Sequence, residues 1–447
     1  MKTKTFYLES LGCAKNTVDS DSMAALLEAD GYKSTSSPAR ADVLIVNTCG
    51  FIAAAREESF QELKKLSSRK KPDQVLIAAG CLTQRYGEEV AKQVKGIDGI
   101  LGTRRWMDIV SVVQQARPNP PHPLFHMPSD TTIGGDEHGV IRAAIQGKSA
   151  YLKIADGCRR NCAFCSIPMI KGTAVSRPMN TILDEAIYLR DAGIQEIILI
   201  AQDTTDYGHD LGLKDGLSIL LKSLIHVVPD IPWIRIMYAF PGYVTDRLID
   251  MMSSNSQILR YLDIPLQHAD AAILRSMKRP SDLDWVRQTI EKMRNKMTDI
   301  AIRSTFIVGY PGEMEQKFEK LLAFLEEMQF DRVGVFPFSF EQGTPSEPLG
   351  DPIPEQVKQE RVERMMTLQQ SISLSKNQKF VGKLMDVLIE GKQEDILVGR
   401  SYRDAPEIDG LVIAEGKGEI GEIIPVRITG AMAHDVSGVV QHARPKS

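Results

Sequence analysis

Cysteine is scarce in this chain, six residues in 447, and histidine is little commoner at eight. No apolar run reaches the roughly 20 residues that a helix needs to cross a bilayer. The opening MKTKTFYLESLGC lacks the apolar core of a secretory signal, so a cytoplasmic protein without a membrane segment is expected. An excess of positive charge is also missing. The formal net charge of −4 excludes a global basic field for nucleic acid, though not a local patch. No Ser/His/Asp constellation stands out, and serine-type nucleophilic catalysis goes with it. What is present is an ordinary globular composition, 43% hydrophobic and 25% charged, in a chain long enough for about three domains. Cytosolic thiols stay reduced, so the six cysteines point to metal binding or chemistry rather than to disulfides.

Residues 1–117 repeat one pattern three times: an apolar strand, a short turn, a cysteine and a helix-like stretch. The strands are KTFYLES (4–10), ADVLIVNT (41–48) and QVLIAAG (74–80), followed by Cys13, Cys49 and Cys81. Nearly continuous apolar runs suit strands covered on both faces, which predicts an N-terminal open parallel α/β sheet domain. Strand-to-helix loops of such a sheet emerge at its carboxyl edge. Three cysteines spaced 36 and 32 residues apart should therefore converge in space. IDGILGT adds a further short strand, and the proline-rich stretch 118–143 reads as a linker.

Strand–helix alternation resumes over 144–375. The strand candidates are YLKIAD (151–156), EIILIAQD (196–203), WIRIMYAF (233–240), YLDIPLQ (261–267), IRSTFIVG (302–309) and RVGVFPFS (332–339). Six units are too few for an eightfold barrel and predict a central partial (βα)6 barrel. Between them, Ile182, Ala186 and Leu189 share one helix face, and Ser281 with Asp284 approximates a capping box. A long helix over 355–378 leads into five short strands within 378–447, predicting a C-terminal five-stranded antiparallel β-barrel of the OB-like kind.

Cys158, Cys162 and Cys165 lie in CRRNCAFC, a C-x3-C-x2-C spacing that follows a strand. A loop of this size can wrap one face of a cubane iron–sulfur cluster, three thiolates on three irons, with the fourth iron open. A zinc site would want a fourth protein donor, and no histidine occurs between His138 and His209. Buried structural cysteines are the plainer alternative.

The motif in its strand context resembles the radical S-adenosylmethionine superfamily. LGCAKNTVDSD, VNTCGFI, GCLTQRY, GCRRNCAFCSIP, QDTTDYG, YLDIPLQH and FIVGYPGE extend the resemblance along essentially the whole chain to its methylthiotransferase family. That resemblance implies a cluster-binding domain (1–117), a radical S-adenosylmethionine domain (144–375) and a C-terminal TRAM domain (378–447). It also implies two 4Fe–4S clusters. One would be held by Cys13, Cys49 and Cys81, the other by Cys158, Cys162 and Cys165. The second would bind S-adenosyl-L-methionine, with Phe164 near its adenine. One molecule of that cofactor would donate a methyl group to sulfur, and another would supply a radical that removes hydrogen from an unactivated C–H. Gln202, Asp203, Tyr207, Gly208, Gln267, His268 and the Tyr310–Glu313 turn fall in loops after strands, where cofactor contacts belong. Turn packing is the plainer reading of such residues.

Members of this family divide between tRNA adenosine derivatives and an aspartate of a small-subunit ribosomal protein. From Phe380 to Ser447, eight Lys/Arg face eleven Asp/Glu, a net of −3. Such a surface suits a basic protein better than RNA. GRSYRDAPEIDGLV (399–412) resembles the ribosomal-protein branch. The expectation is a transferase that places sulfur and methyl on the β-carbon of an aspartate in ribosomal protein S-twelve, giving 3-methylthioaspartate. The alternative is a tRNA methylthiotransferase of the MiaB type, and a more distant one a non-catalytic iron–sulfur ribosome- or RNA-binding factor. A small flavodoxin or ferredoxin is the expected electron donor. The reading requires both cysteine trios to face one chamber.

Overall fold

A computed structural model of the chain describes residues 4–128 and 139–441. The middle of the stretch read as a linker lies outside the described residues. Strands β1 (Thr5–Ser10), β2 (Lys33–Ser34), β3 (Val43–Thr48), β4 (Val75–Gly80), β5 (Gly99–Gly102) and β6 (Leu124–His126) form one sheet, all pairs parallel, in the order β2-β1-β3-β4-β5-β6. Every residue of β3 and β4 is buried. The cause is cover on both sides: Val43 and Ile45 pack under α1 (Ala14–Ala29) and α4 (Ile109–Gln115), while Leu44 and Val46 pack under α2 (Ala53–Arg69) and α3 (Cys81–Gln93). Strand β6 falls inside the supposed linker. Its flanking prolines hid it, and a sheet edge is where strands tolerate proline.

The next sheet has the order β15-β14-β13-β12-β11-β8-β7. Its strands are β7 (Ala143–Gln146), β8 (Ser149–Lys153), β11 (Glu196–Ile200), β12 (Trp233–Ile236), β13 (Ile258–Asp263), β14 (Ala301–Val308) and β15 (Arg332–Pro337). The last six are parallel and follow sequence order, while β7 is an antiparallel edge. The barrel is thus open, with six units as expected. A two-residue clasp, β9 (Ala155–Asp156) against β10 (Val175–Ser176), sits beside it. Helices α5 (Ile167–Lys171), α6 (Met179–Asp191), α7 (Gly216–Val227), α8 (Asp246–Ser254), α9 (Ala271–Ser276), α10 (Leu283–Lys296) and α11 (Glu315–Met328) connect the strands. Ile182, Ala186 and Leu189 are buried on α6. The cap of α10 is Asp282 rather than Ser281: its carboxylate accepts a hydrogen bond from Trp285 N.

Helix α12 (Glu355–Gln378) leads to a closed barrel of β16 (Leu384–Gln393), β17 (Ile396–Ser401), β18 (Val412–Glu415), β19 (Ile423–Ala431) and β20 (Val436–Val440). One junction departs from the antiparallel pattern, β18 with β20, which run parallel. A ring of five strands cannot alternate direction all the way round. Among the described residues no helix is long and apolar enough to cross a membrane.

The stretch GRSYRDAPEIDGLV turns out to seat this module on the central barrel. Arg400, Ser401, Arg403, Asp404 and Ala405 are buried. Arg400 pairs with Glu196 at 2.7 Å, Arg332 with Asp404 at 2.6 Å and Arg403 with Asp331 at 3.1 Å, and Tyr261 donates to Asp409 at 2.7 Å. Arg400, Arg403 and Asp404 are thus committed to docking, while Glu407, Ile408 and Leu411 stay exposed. Most of the module's exposed acidic residues lie outside this stretch. Among the described residues from Phe380 onward, the exposed charges are Lys383, Lys392, Lys417 and Arg427 against Asp386, Glu390, Glu394, Asp395, Glu407, Glu415, Glu419 and Glu422.

Glu196 anchors the docking, accepting from Arg235 at 2.7 Å as well as from Arg400. Burial alone would raise its pKa, but the two guanidinium groups outweigh that and hold it down at about 2. A depressed carboxylate stabilises the fold above the ordinary glutamate range and loses that contribution as pH falls toward about 2. Glu196→Gln leaves two buried cations undercompensated and should cost about 3–5 kcal/mol in urea denaturation at neutral pH. The gap from wild type should narrow in acid.

Candidate active site

The first three cysteines occupy equivalent places at the carboxyl edge of the N-terminal sheet. Cys13 caps α1, Cys49 follows β3 and Cys81 opens α3. Gly12 lets the first loop lie on the second: its φ is +98°, and a Cβ there would stand 2.9 Å from Cys49 Cβ and 3.1 Å from Cys49 Sγ. Asn16 then ties all three loops. Its Nδ2 donates to Leu11 O at 2.7 Å and Thr48 O at 3.1 Å, and Cys81 Sγ donates to its Oδ1 at 3.7 Å. Asn47 Nδ2 donates in turn to Asn16 O at 3.0 Å. Asn16 was not a candidate from the sequence, because its role exists only once three distant loops meet.

The CRRNCAFC loop is closed at its base by the β9–β10 clasp. Gly157 permits the turn, with φ +74° and a position where a Cβ would meet Thr173 O at 2.0 Å. Cys158 N donates to Gly172 O at 3.0 Å. Arg160 pairs with Asp203 at 2.8 Å and lies over the Tyr243 ring at 3.8 Å, while Arg159 pairs with Asp206 at 2.6 Å. Farther along, Ala163 N donates to Met277 O at 2.8 Å and Arg279 Nη1 to Cys162 Sγ at 3.6 Å. Burial pushes the Cys158 thiol up to about 11, and the Cys165 and Cys81 thiols up to about 12. A thiolate here needs a positive partner inside the protein, and a coordinated metal is the strongest available.

Both trios line one cavity of about 450 Å³, together with Lys15, Phe51, Phe164, Gln202, Tyr238 and Gln267. None of the six thiols is in a disulfide. Gln202 Oε1 and Arg279 Nε are buried without hydrogen-bond partners, as expected of groups that await an occupant. Among the described residues no three His, Cys, Asp or Glu side chains are grouped as a single metal ion requires. A cubane asks for something else, one thiolate at each of three corners. Three thiols without a fourth protein donor suit a cluster with one open corner better than they suit zinc.

A buried charge network joins the two halves beside this cavity. Asp19 of α1 contacts Lys153 at 2.6 Å, Lys171 at 2.7 Å and Arg142; Asp156 contacts Lys153 at 2.7 Å and Lys171 at 3.5 Å. Burial would raise the Asp19 carboxyl, but Lys153, Lys171 and Arg142 hold it well below the usual carboxylate range.

Several sequence candidates do not reach the cavity. Asp203 serves Arg160; Tyr207 donates to Arg177 O at 3.1 Å; Gly208 N donates to Ser176 Oγ at 2.8 Å. His268 is fully buried and accepts from Asp270 N at 2.9 Å through Nδ1. Tyr310 packs edge-on to Phe338 with centroids 5.1 Å apart, and Glu313 accepts from Gly309 N at 2.8 Å. These residues shape loops.

Residues 5–102 match the family described as Uncharacterized protein family UPF0004, residues 152–325 the radical SAM superfamily and residues 381–440 the TRAM domain. The radical S-adenosylmethionine methyltransferase TsrM from Kitasatospora setae shares the fold. Its TM-score is 0.56 over 87% of this chain and 79% of its own, at 12% identity. An open six-unit barrel with C-x3-C-x2-C at its first loop thus defines a radical S-adenosylmethionine enzyme, a class that employs a 4Fe–4S cluster and S-adenosylmethionine. Among full-length relatives, the ribosomal protein uS12 methylthiotransferase RimO of Chloroflexus aurantiacus is 49% identical over 97% of this chain and 99% of its own length. That of Roseiflexus sp. (strain RS-1) is 46% identical over 98% and 97%. The chain belongs to the RimO family of methylthiotransferases.

Asn16→Ala should lower stability by about 1–3 kcal/mol through unsatisfied buried carbonyls. In protein free of metal it should also speed alkylation of Cys81, which is slow in the wild type because the thiol is buried and has a raised pKa. Mass spectrometry of the alkylated peptides reads both rates.

Proposed function

We propose that Cys13, Cys49 and Cys81 hold one 4Fe–4S cluster and that Cys158, Cys162 and Cys165 hold a second. The enzyme adds a methylthio group to the β-carbon of an aspartate in ribosomal protein uS12, giving 3-methylthioaspartate. The observation that carries this reading is the single cavity lined by both trios. Bound at Cys158, Cys162 and Cys165, a cluster with S-adenosylmethionine would supply the hydrogen-abstracting radical, a second molecule of S-adenosylmethionine would supply the methyl group, and a cluster on Cys13, Cys49 and Cys81 would supply a site for sulfur.

The chain's own part is to position and to exclude water. The β9–β10 clasp and the Arg160–Asp203 pair set the loop that carries the second trio. Arg279 stands beside Cys162 and offsets thiolate charge. Phe164 offers an aromatic face for adenine, and Gln202 offers an unpaired carbonyl oxygen to a donor group. Phe51, Ala239, Phe240, Pro265 and Phe336 give the cavity apolar walls, which protect a reactive species from water.

The exposed acidic surface of the C-terminal module favours a basic ribosomal protein over tRNA, and the similar full-length enzymes are uS12 methylthiotransferases. Ribosomal proteins are cytoplasmic, and there a flavodoxin or ferredoxin would deliver electrons.

Anaerobic reconstitution with S-adenosylmethionine and a reductant provides the test. Wild type should bind two four-iron complements, release 5′-deoxyadenosine and add the combined mass of sulfur and methyl to uS12. A variant carrying Cys13→Ala, Cys49→Ala and Cys81→Ala should keep one complement and still form 5′-deoxyadenosine, but leave uS12 unmodified. Full iron content in that variant overturns the ligand assignment, and a mass gain on tRNA alone overturns the substrate.

A further inference from the structure

Four cationic side chains line the cavity: Lys15, Arg160, Lys171 and Arg279. Three already have acceptors. Lys171 lies 2.7 Å from Asp19 and 3.5 Å from Asp156. Arg160 has Asp203 at 2.8 Å and Asp206 at 3.3 Å. Arg279 donates to Cys162 Sγ at 3.6 Å and to Pro265 O.

Lys15 is different. Its Nζ lies 3.2 Å from the centroid of the Tyr238 ring, and among the described residues no carboxylate, carbonyl or hydroxyl serves it as hydrogen-bond or ion-pair partner. Cys13, then Asp263 and Asp156, act on it electrostatically, but the two carboxylates have their own cations, Arg303 at 3.0 Å and Lys153 at 2.7 Å. An ammonium group carries three donors, and a π face satisfies none of them as a hydrogen-bond acceptor would. Lys15 is half-buried and lines the chamber, so those donors are open to an occupant.

The platform beneath Lys15 is itself specialised. Tyr238 has φ +61°, a left-handed conformation that a tyrosine keeps only where its surroundings impose it. Thr204 N donates to Tyr238 O at 3.1 Å and helps impose it. Lys15 follows Cys13 by two residues and precedes Asn16, so it enters the chamber from the first trio, with the second trio on the same wall system. An anion bound to Lys15 would lie within the chamber that both trios line.

We propose that Lys15 receives the carboxylate of the substrate's target aspartate. This rests on the aspartate reading given above. The β-carbon is joined directly to that carboxylate, so anchoring the charged group fixes the C–H to be attacked to within one bond. A compact ammonium suits a chamber of about 450 Å³ that must also admit other occupants. The same cation selects substrate class, because a neutral adenine brings no anion to satisfy it. Lys15 is thus a specificity-determining residue, acting by binding.

Fully reconstituted enzyme is used for the test, as wild type, Lys15→Gln and Lys15→Arg, with iron and sulfide content measured for each. Each form is offered uS12 and uS12 whose target aspartate is replaced by asparagine. Wild type should favour the aspartate form by at least about thirtyfold in kcat/KM, the loss expected when one partner of a buried hydrogen-bonded charge pair is removed. Lys15→Gln should flatten that preference and Lys15→Arg restore part of it. Binding of the two uS12 forms to each reconstituted protein, measured without S-adenosylmethionine, should follow the same order. Lys15→Gln with the aspartate preference intact overturns the inference. Rescue of Lys15→Gln by added sulfide, again with the preference intact, also overturns it, since the ammonium would then be serving a sulfur anion. Failure of the aspartate reading itself looks different: wild type leaves uS12 unmodified.

Discussion

Asp19 lies where the N-terminal sheet meets the open barrel, and three cations converge on its carboxylate from the barrel side: Arg142, Lys153 and Lys171. Asp156 completes the group from the residue pair that clasps the second cysteine loop. Placing five charges in the interior is expensive, and such a network contributes little net stability over a well-packed apolar substitute. What it supplies is a unique arrangement: a shift of α1 along the barrel would strand buried charges. The two cysteine trios face one chamber because this register is enforced.

Both halves of the chamber use the same property of parallel sheets, which deliver every strand-to-helix loop to the carboxyl edge. The N-terminal sheet brings its trio from three loops, held by Gly12 and Asn16. The barrel brings its trio from one loop, held by Gly157, the clasp and the paired arginines. The C-terminal module docks elsewhere. Ser149, Glu196 and Arg332, which meet it or its partners, are the first residues of β8, β11 and β15. Chemistry and docking thus occupy opposite ends of the barrel strands, so the seat of the module is built without disturbing the site.

Much of this was legible beforehand because it is local. Six apolar runs at regular spacing described the barrel strands, and equal placement of Cys13, Cys49 and Cys81 after strands implied their convergence. Harder to read were features whose partners are remote in sequence. Strand β6 is three residues among prolines and pairs only because β5 offers a free edge. GRSYRDAPEIDGLV resembles the ribosomal-protein branch to which the chain belongs, but that most of its charges are consumed in docking showed only in the fold. Gln202, Asp203 and Tyr207 looked alike in one loop, yet only Gln202 lines the cavity.

The amino-acid sequence by itself determined the long buried strands, which cysteines form trios and how many barrel units exist, since periodicity and ligand spacing are properties of neighbouring residues. Tertiary structure alone decided that the trios share a chamber, that Asn16 binds three loops and that Lys15 is the cavity cation left without an acceptor among the described residues. Burial and the pairing of charges depend on which distant segments exclude water from one another, and that becomes definite only when the chain has closed on itself.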